Sequence, residues 1–370
     1  MKFLRKIFIV IFIFLLLIPV LSMNLKANQV SEITNSYLTE FDTSNPLSAK
    51  MLTAYLNDRI GFRDDAISAY TKLNDVLFDK MVHPSYTYGK DNHVFLKLNE
   101  SEIDLEFIEA FCNYLKQIQD YCEARDVPFI YCVNPGKTTV YKDYLPEGYN
   151  YSNAFLDVLY DHLEMYQVNY VSNVDLLTDK AMTEQVYNKQ YDAGHWNDLG
   201  QFYATNHLLE KISEYFPAVK PHSFDDFNIS FEQKTSLPVS QFEIDETVPK
   251  FTIKNPEEIK DITDQYDWVE VDSQHPQKII FENTTADEKL PRVLFFHGSY
   301  YNRSQEFYKS AFKETYVIHN YENILDFTYY FNIFEPECVV LETAEYATNR
   351  TYFNINKLLE LNQSGIESQQ

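Results

Sequence analysis

Glycine is scarce in this sequence: only 8 of its 370 residues are Gly, while Tyr and Phe number 29 and 28. Disordered chains are poor in aromatic residues, so this composition excludes a largely disordered protein. Basic residues are also few. With 31 Lys and Arg against 55 Asp and Glu, the net charge is −24. A surface this acidic repels phosphate backbones, which argues against nucleic-acid binding.

Cysteine occurs four times, and no spacing among the four matches a metal-binding motif. Cys112 and Cys122 lie on one predicted helix, about 15 Å apart along its axis, which is too far for a disulfide. Cys132 and Cys338 lie in strongly apolar runs, where a free cysteine packs as a small hydrophobe. We interpret all four as packing residues, and nothing in the sequence indicates a metal or an organic cofactor.

One long apolar run stands near the N-terminus. It extends from Ile7 to Met23, is interrupted only by Pro19 and Ser22, and follows a basic segment. This pattern is typical of an export signal or of a membrane span. The next residues, "NLKA", offer only one of the two small residues that a cleavage site needs. We therefore predict that residues 1–27 are an uncleaved membrane anchor, with secretion after cleavage as the alternative. Either way the protein is exported.

Helical periodicity alternates with continuous apolar runs in two parts of the chain. A predicted amphipathic helix that starts near Glu102 is followed by "VPFIYCV", which has the character of a buried parallel strand. A helix, the short strand "VNYVSN" and a further helix continue the order. The order resumes at "RVLFFHGSYYN" and ends with "CVVLETAEY". This alternation predicts an α/β fold with a three-layer parallel sheet.

Residues 217–290 interrupt the alternation. Stretches such as "WVEVDSQHPQKIIFEN" alternate apolar and polar residues between turn signals, as antiparallel strands do. We predict a β-rich insertion here, between a first part (101–216) and a second part (291–370) of the α/β domain. Residues 28–100 combine a helical pattern interrupted near Gly61 with the hairpin-like "HPSYTYGKDNHVFLKL", and are predicted to be a helical and hairpin lead-in.

Ser299 follows the buried strand "RVLFF" directly. In open α/β sheets ligands bind at the carboxyl ends of the strands. Gly298 permits a tight turn there, so Gly298 and Tyr300 are candidates to shape an oxyanion site around the serine. A serine nucleophile needs a base, usually histidine, that is held by a carboxylate. "YDAGHWNDLG" supplies Asp192 and His195 before a predicted helix, so the chain contains all three residue types.

Each half of this predicted site also has a simpler interpretation. A Gly-Ser turn after a strand is common. Asn197 or Asp198 is sufficient to cap the helix, with no chemistry required of Asp192 and His195. His297 is a rival base, but its position in the strand predicts a side chain on the opposite side from the serine.

Other candidates lie near the same sheet edge. Asn134 and Lys137 follow the "VPFIYCV" strand and are candidates to bind a carbonyl oxygen or a sugar hydroxyl; a simple Asn-Pro-Gly turn is the alternative. Trp196 suits either stacking on a sugar or fixing its loop to the core. Glu342 and Glu345 are interpreted as a solvated strand end.

Five motifs occur in the order of a known family: "NDRIGFRD", "VNPGKTTVYKDYLP", "YDAGHWNDLG", "VLFFHGSYYN" and "PECVVLETAEY". From about Arg59 to the C-terminus the chain thereby resembles the SGNH-hydrolase-like proteins of the alginate O-acetylation type, and the related exported proteins named for an Asp-His-His-Trp motif. The resemblance implies a flavodoxin-like SGNH fold with circularly permuted motif order, in which Asp and His precede Ser. Asp192 and His195 are three apart, where that family usually has two, and Gly298 stands where it often has Asp.

The resemblance also implies a function. Ser299, His195 and Asp192 would form a catalytic triad that transfers acetyl groups to hydroxyls of an extracytoplasmic polysaccharide, with a membrane-bound acyl-exporting O-acyltransferase as a partner. Two alternatives stay open, because the acceptor that the site admits is not written in the sequence. One is a carbohydrate acetylesterase with the same triad, and the other is a non-catalytic scaffold that binds glycan or assembles a secretion machine.

Overall fold

The computed structural model describes residues 2–27, 29–31, 33, 36–41, 48–78, 80–83, 85–98, 103–235, 244–302 and 305–366. The chain divides into two compact units. One comprises Met1–Leu98 with Lys234–Asp245, and the other comprises Asn99–Gln233 with Glu246–Gln370. All the candidate site residues named above lie in the second unit.

The first unit begins with an apolar helix, which is long and apolar enough to cross a membrane by length and composition alone. Arg59 ties the chain after this helix to the next one. Its buried guanidinium donates to the carbonyl oxygens of Asn24, Lys26 and Thr39 and pairs with Glu40. The elements of this unit are α1 (Lys2–Leu21), β1 (Val30–Ser31), β2 (Ser36–Tyr37), α2 (Ala49–Arg59), α3 (Arg63–Phe78), β3 (Tyr86–Tyr88) and β4 (Val94–Leu96).

The second unit is built on one central sheet with the order β6-β5-β13-β11-β12-β10-β9. The first five strands in this order are parallel, and the last two are antiparallel additions at one edge. The α/β class is therefore confirmed, and the sheet, predicted to be parallel, is mostly parallel with two antiparallel strands at one edge. The strands of this unit are β5 (Phe129–Asn134), β6 (Tyr170–Ser172), β7 (Phe227–Lys234), β8 (Glu246–Ile253), β9 (Ile259–Asp261), β10 (Lys278–Asn283), β11 (Arg292–His297), β12 (Glu314–His319) and β13 (Cys338–Ala344).

Helices cover both faces of this sheet. Tyr131 of β5 points to the face on which Phe111 and Phe353 pack. The next residue, Cys132, points to the other face, where Asn173 donates to its thiol. Strand alternation thus places α4 and α11 on one side and α7 and α8 on the other. The helices are α4 (Leu105–Glu123), α5 (Lys137–Val140), α6 (Ala154–Met165), α7 (Val174–Ala181), α8 (Asp198–Ser213), α9 (Ser299–Asn302), α10 (Phe327–Phe334) and α11 (Ile355–Ser364).

The described residues of the segment 217–290 contribute four strands to two sheets. β7 and β8 form a two-stranded sheet, whereas β9 and β10 extend the central sheet. Of the stretch "WVEVDSQHPQKIIFEN", only Lys278–Asn283 is a strand; residues 268–277 form a turn, bends and irregular backbone. β10 is only partly buried, unlike the central parallel strands, and its sequence is correspondingly less continuously apolar.

The four cysteines are buried free thiols. Cys112 and Cys122 lie on α4, and Cys132 and Cys338 lie on β5 and β13. Burial raises the pKa of each thiol, which keeps the thiols protonated and unreactive.

Candidate active site

Asp192 and His195 belong to the loop before α8. The Asp192 Oδ1 atom accepts hydrogen bonds from the backbone N–H of Gly194 and of His195, each at 3.1 Å. It also lies 2.9 Å from His195 Nδ1. The start of α8 is capped independently, because the Asn197 side chain accepts from Gly200 N–H at 3.0 Å. Helix capping therefore does not account for Asp192 and His195.

Ser299 lies at the carboxyl end of β11, as the first residue of the short helix α9. Its Oγ atom is 2.9 Å from His195 Nε2, although the two residues are 104 positions apart. A hydrogen-bond chain thus runs from the Asp192 carboxylate through the imidazole to the serine hydroxyl. With Nδ1 donating to Asp192, Nε2 is the acceptor for the Ser299 proton.

Tyr346 is a fourth polar group at this point. Its hydroxyl lies 2.8 Å from Ser299 Oγ, and its ring stands edge-on to His195, with ring centroids 6.5 Å apart. It follows β13, whose carboxyl end lies at the same sheet edge as that of β11. Burial raises the pKa of Tyr346, so the hydroxyl remains protonated and able to donate.

Trp196 and Tyr300 fix the histidine loop to α9. The Trp196 indole N–H donates to the Tyr300 carbonyl oxygen at 2.9 Å. The Tyr300 hydroxyl lies within hydrogen-bonding distance of two carbonyl oxygens, those of Gly194 at 2.9 Å and Pro135 at 3.0 Å. Both side chains are buried, at 4% and 1% exposure. Of the two interpretations of Trp196, these contacts match the fixing of the loop and leave no free face for a sugar.

Gly298 and Asn134 are joined through Glu342. The Glu342 carboxylate accepts from Gly298 N–H and from the Asn134 amide, each at 2.8 Å. Glu342 is 1% exposed, so the expected solvated strand end is wrong at this residue. The Gly298 N–H and the Asn134 amide both donate to Glu342. They are therefore not available for the oxyanion or sugar binding that the sequence suggested.

Gly298 lies close to the Asn320 side chain. A Cβ atom built at this position would lie 3.2 Å from Asn320 Oδ1 and 3.3 Å from Asn320 Nδ2. A side chain at position 298 would therefore require Asn320 to move by a few tenths of an ångström.

Burial has a strong effect on the Glu342 carboxyl. It raises the pKa to about 7, while the hydrogen bonds from Gly298 and Asn134 lower it. Glu345 also differs from the expected solvated position: it accepts from Gly136 N–H and from the Thr139 hydroxyl, and burial raises its pKa. The two carboxylates hold the turns after β11 and β5.

Lys137 lies behind the histidine loop. Its ammonium group donates to the Lys189 carbonyl oxygen at 2.9 Å, and the residue is 2% exposed. Burial lowers the pKa of Lys137 to about 7, although the nearby Glu246 and Asp192 raise it. Lys137 thus holds the segment before Asp192 instead of facing a ligand, contrary to its candidate role in sugar binding.

Glu246, at the start of β8, holds the same segment. Its carboxylate accepts from the backbone N–H groups of Lys189, Gln190 and Tyr191 and from the Gln185 amide. Three consecutive backbone donors on one buried carboxylate fix the chain just before Asp192.

Two other histidines, the rival base His297 and His207, have their own partners. His297 is fully buried, and its Nε2 lies 3.0 Å from the Tyr308 hydroxyl. Burial lowers the pKa of His297 to about 3. His207, on α8, hydrogen bonds to Asn173 at 2.9 Å. Among the described residues, no group of three or more His, Cys, Asp and Glu is arranged to hold a metal ion.

The fold and this cluster of residues define a class: an α/β protein with a central, mostly parallel sheet and polar residues gathered at its carboxyl edge. Solved structures with this fold include PatB1 of Bacillus cereus, with a TM-score of 0.56 over 71% of this chain and 97% of that one, at 14% identity. The O-acetyltransferase domain of Pseudomonas putida AlgJ has a TM-score of 0.52 over 76% of this chain and 99% of that one, also at 14% identity.

A DHHW family protein from Eubacterium siraeum is a third structure of this kind, with a TM-score of 0.50 over 75% of this chain and 98% of that one, at 14% identity. Neither a family model nor a curated protein sequence matches the chain. The resemblance drawn from the five motifs is confirmed at the level of the fold.

Glu342 and Tyr346 were not identified as site residues from the sequence. Both stand in the motif "CVVLETAEY", which carries part of the family resemblance, but a Glu after four apolar residues has the pattern of a strand end. Their roles depend on the pairing of β13 with β11 and β5. One signal was present: a strand that ends in several polar residues beside the strand that carries the serine.

Proposed function

We propose that this protein is an exported, serine-dependent O-acetyltransferase that acts on hydroxyls of an extracytoplasmic or cell-surface polysaccharide through a Ser-His-Asp triad. The observation that carries the proposal is the hydrogen-bond chain from Asp192 through His195 to Ser299. A Ser-His contact or an Asp-His pair alone has a structural explanation. The three together at the carboxyl edge of a parallel sheet have the geometry of an acyl-transfer site.

In the first half-reaction, Ser299 Oγ attacks the carbonyl carbon of an acetyl donor while His195 Nε2 takes the hydroxyl proton. Asp192 stabilises the resulting imidazolium through its bond to Nδ1. The tetrahedral intermediate then collapses. The bond between the carbon and the donor's leaving oxygen breaks, that oxygen takes the proton from His195, and the acetyl group remains as an ester on Ser299.

In the second half-reaction, a hydroxyl of the polysaccharide attacks the acetyl carbonyl carbon and gives its proton to His195. The bond between the carbon and Ser299 Oγ breaks, and Oγ takes the proton back from the imidazolium. The products are an O-acetylated sugar and free enzyme, so protons and electron pairs balance without a cofactor.

The oxyanion of each intermediate needs donors that the fold has already fixed. We assign this role to the Ser299 N–H, at the first position of α9, where helix donors have no partner within the helix. We add the Tyr346 hydroxyl, 2.8 Å from Ser299 Oγ. Gly298 and Asn134 donate to Glu342 instead.

A carbohydrate acetylesterase with the same triad is the second candidate. Ser299 and His195 are half-buried, and 18% of the His195 side chain is exposed. Water therefore has access to the position that a sugar hydroxyl would occupy, and its attack would complete hydrolysis in place of transfer.

We also propose where the protein is located and how its domain is arranged along the chain. α1 would hold the protein to the membrane, facing outwards, where a membrane-bound acyl-exporting O-acyltransferase would supply acetyl groups. Residues 217–290 would be an insertion between the two parts of an SGNH-type domain, 101–216 and 291–370, with Asp and His before Ser in circularly permuted order. The fold that the chain shares with an O-acetyltransferase domain supports the acetyl-transfer chemistry of the proposal.

The test is acetyl transfer by the purified full chain. A chromogenic acetyl ester is supplied with and without oligosaccharides, beside Ser299→Ala. Turnover that rises with oligosaccharide and yields acetylated sugar is the expected result. A turnover rate that is the same with and without oligosaccharide identifies an esterase. If no turnover and no serine acylation occur while glycan binding persists, the protein is a scaffold and the enzyme proposal fails.

A further inference from the structure

Four aromatic side chains form a continuous row that leads away from Ser299. We call this row the aromatic track; its members are Tyr346, Tyr352, Tyr321 and His275. Tyr346 contacts the serine hydroxyl. Successive ring centroids along the row are 6.3, 4.9 and 5.1 Å apart, so each ring touches the next.

The sheet topology explains why these four residues meet. Tyr346 and Tyr352 follow β13, and Tyr321 follows β12, so all three lie at the carboxyl edge that also holds the serine. His275 comes just before β10, which runs antiparallel to β12 with Lys278 opposite Ile318. The start of β10 therefore lies beside the end of β12, and His275 reaches the same edge.

Tyr321 has a backbone conformation that tyrosine seldom adopts. Its φ is +59°, in the left-handed region where bulky residues are outliers. Asn320 holds the chain there: its N–H donates to the His297 carbonyl oxygen at 3.1 Å, and its amide donates to the Glu342 carbonyl oxygen at 2.6 Å. Enforced outliers of this kind are concentrated at active sites and ligand clamps. Here the outlier places one ring between Tyr352 and His275.

The track is partly open to solvent. Tyr346, Tyr352 and His275 are half-buried, and 28% of the His275 side chain is exposed. Tyr321, 7% exposed, supports them from below. A half-exposed ring presents an apolar face together with a polar edge, which suits the apolar CH faces and the hydroxyls of sugar rings.

The charges beside the track are mainly negative. Asp272 Oδ1 lies 3.0 Å from His275 Nδ1. Asp272 also lines a cavity of about 470 Å³, whose charged lining residues are four carboxylates and one ammonium group. These are Glu270, Asp272, Glu322, Asp326 and Lys357. A polysaccharide that carries carboxylates would be repelled there.

We infer that the aromatic track is the acceptor-binding site, and that it takes a glycan without acidic groups, whose sugar rings stack on Tyr352 and Tyr346 while one hydroxyl faces Ser299. This inference rests on the proposed function for the role of the bound glycan as acceptor. The binding itself is a property of the track, and it is measured without catalysis.

The experiment is calorimetric titration of full-length Ser299→Ala, in detergent micelles, with three hexasaccharides: cellohexaose, N-acetylchitohexaose and hexagalacturonate. We expect at least one neutral hexasaccharide to bind, and hexagalacturonate to bind at least about tenfold more weakly. Adding Tyr352→Ala to Ser299→Ala weakens binding of the neutral hexasaccharide about tenfold, because a stacking ring is removed. Adding Tyr352→Phe instead leaves the affinity for that hexasaccharide unchanged. Tyr215→Ala is the matched control. It removes a tyrosine that contacts Asn169, just before β6 and thus at the opposite edge, and it leaves binding unchanged.

The inference is overturned if neither neutral hexasaccharide binds, if Tyr352→Ala binds as tightly as its parent, or if hexagalacturonate binds equally well. Thermal unfolding of each variant shows that a loss of binding is not a loss of folding. Wild-type turnover of a chromogenic acetyl ester is measured in parallel. Binding without turnover refutes the proposed enzyme and leaves the track as a glycan site, while turnover without binding refutes the track alone.

Discussion

The Glu342 carboxylate accepts a hydrogen bond from the Gly298 backbone N–H at 2.8 Å. This contact ties β13, an interior strand of the sheet, to the turn that presents Ser299. The same carboxylate accepts a hydrogen bond from the Asn134 side chain. Asn134 is the last residue of β5, which pairs with β13 on the side opposite β11. One buried acid thus sets the backbone position of the proposed nucleophile without touching its hydroxyl.

Glu342→Gln is expected to change how stability depends on pH. The pKa of Glu342 is about 7 in the folded protein, above the ordinary 4.5 of an unfolded chain. The folded state therefore binds more protons between these values, and the contribution of this group is present below pH 4.5 and lost as the pH rises through 7. Between pH 5 and pH 8 the wild type should lose on the order of 2 kcal/mol more unfolding free energy than Glu342→Gln.

Urea unfolding at the two pH values measures this difference. Glu210→Gln, at an exposed position on α8, is the matched control and should follow the wild type. Equal pH dependence in Glu342→Gln and the wild type would show that Glu342 does not titrate in this range.

Tyr346→Phe removes only the hydroxyl beside Ser299. Because the proposed oxyanion loses one donor, kcat for a chromogenic acetyl ester should fall about tenfold, which corresponds to a loss of about 1.4 kcal/mol. KM should change little, since the ring stays in place. Steady-state kinetics separate the two parameters. Tyr215→Phe is the control, and an unchanged kcat in Tyr346→Phe would remove Tyr346 from the mechanism.

Glu246→Ala should loosen the loop that carries Asp192. Three consecutive N–H groups, from Lys189 to Tyr191, lose their acceptor. The three residues are only partly buried, so water can replace part of the lost acceptor, and we expect a total destabilisation of about 1–3 kcal/mol. Amide hydrogen exchange should accelerate at these three positions beyond the global change. Exchange that increases only in proportion to global stability would refute a local role for Glu246.

The N-terminal helix yields a prediction about location. If Lys2–Leu21 is an uncleaved anchor, the full-length protein should fractionate with membranes and retain its first residues. N-terminal sequencing and membrane fractionation test this together. A soluble mature chain that begins near residue 28 would instead identify the helix as a cleaved signal.

The sheet was readable from the sequence because its central strands are buried on both faces. "VPFIYCV" and "RVLFFH" are continuous apolar runs, and both are parallel strands in the structure. The edge was harder to read. The sequence around β9 and β10 suggests a separate β unit. In the structure β10 pairs with β12 and β9 pairs with β10, so both strands belong to the central sheet.

Some residues of the candidate site can likewise be predicted from local sequence, whereas others depend on the assembled sheet. Asp192, His195 and Ser299 were found because each carries a local pattern, a short polar block before a helix or a serine after a strand. Glu342 escaped detection because burial is a property of the assembled sheet: its partners, Gly298 and Asn134, are 44 and 208 residues away in the chain. The fixing role of Trp196 likewise depends on its contact with Tyr300.

The proposed mechanism requires Ser299 to form a covalent acetyl intermediate. The most direct measurement is to quench the full chain during turnover of a chromogenic acetyl ester and to map acetylated peptides by mass spectrometry. We predict an acetyl group on Ser299 in the wild type, nearly complete loss of acetylation in His195→Ala, and residual acetylation in Asp192→Ala, which loses the orienting group but keeps the base. Turnover without acetyl on Ser299, or full turnover by Ser299→Ala, would exclude Ser299 as the nucleophile.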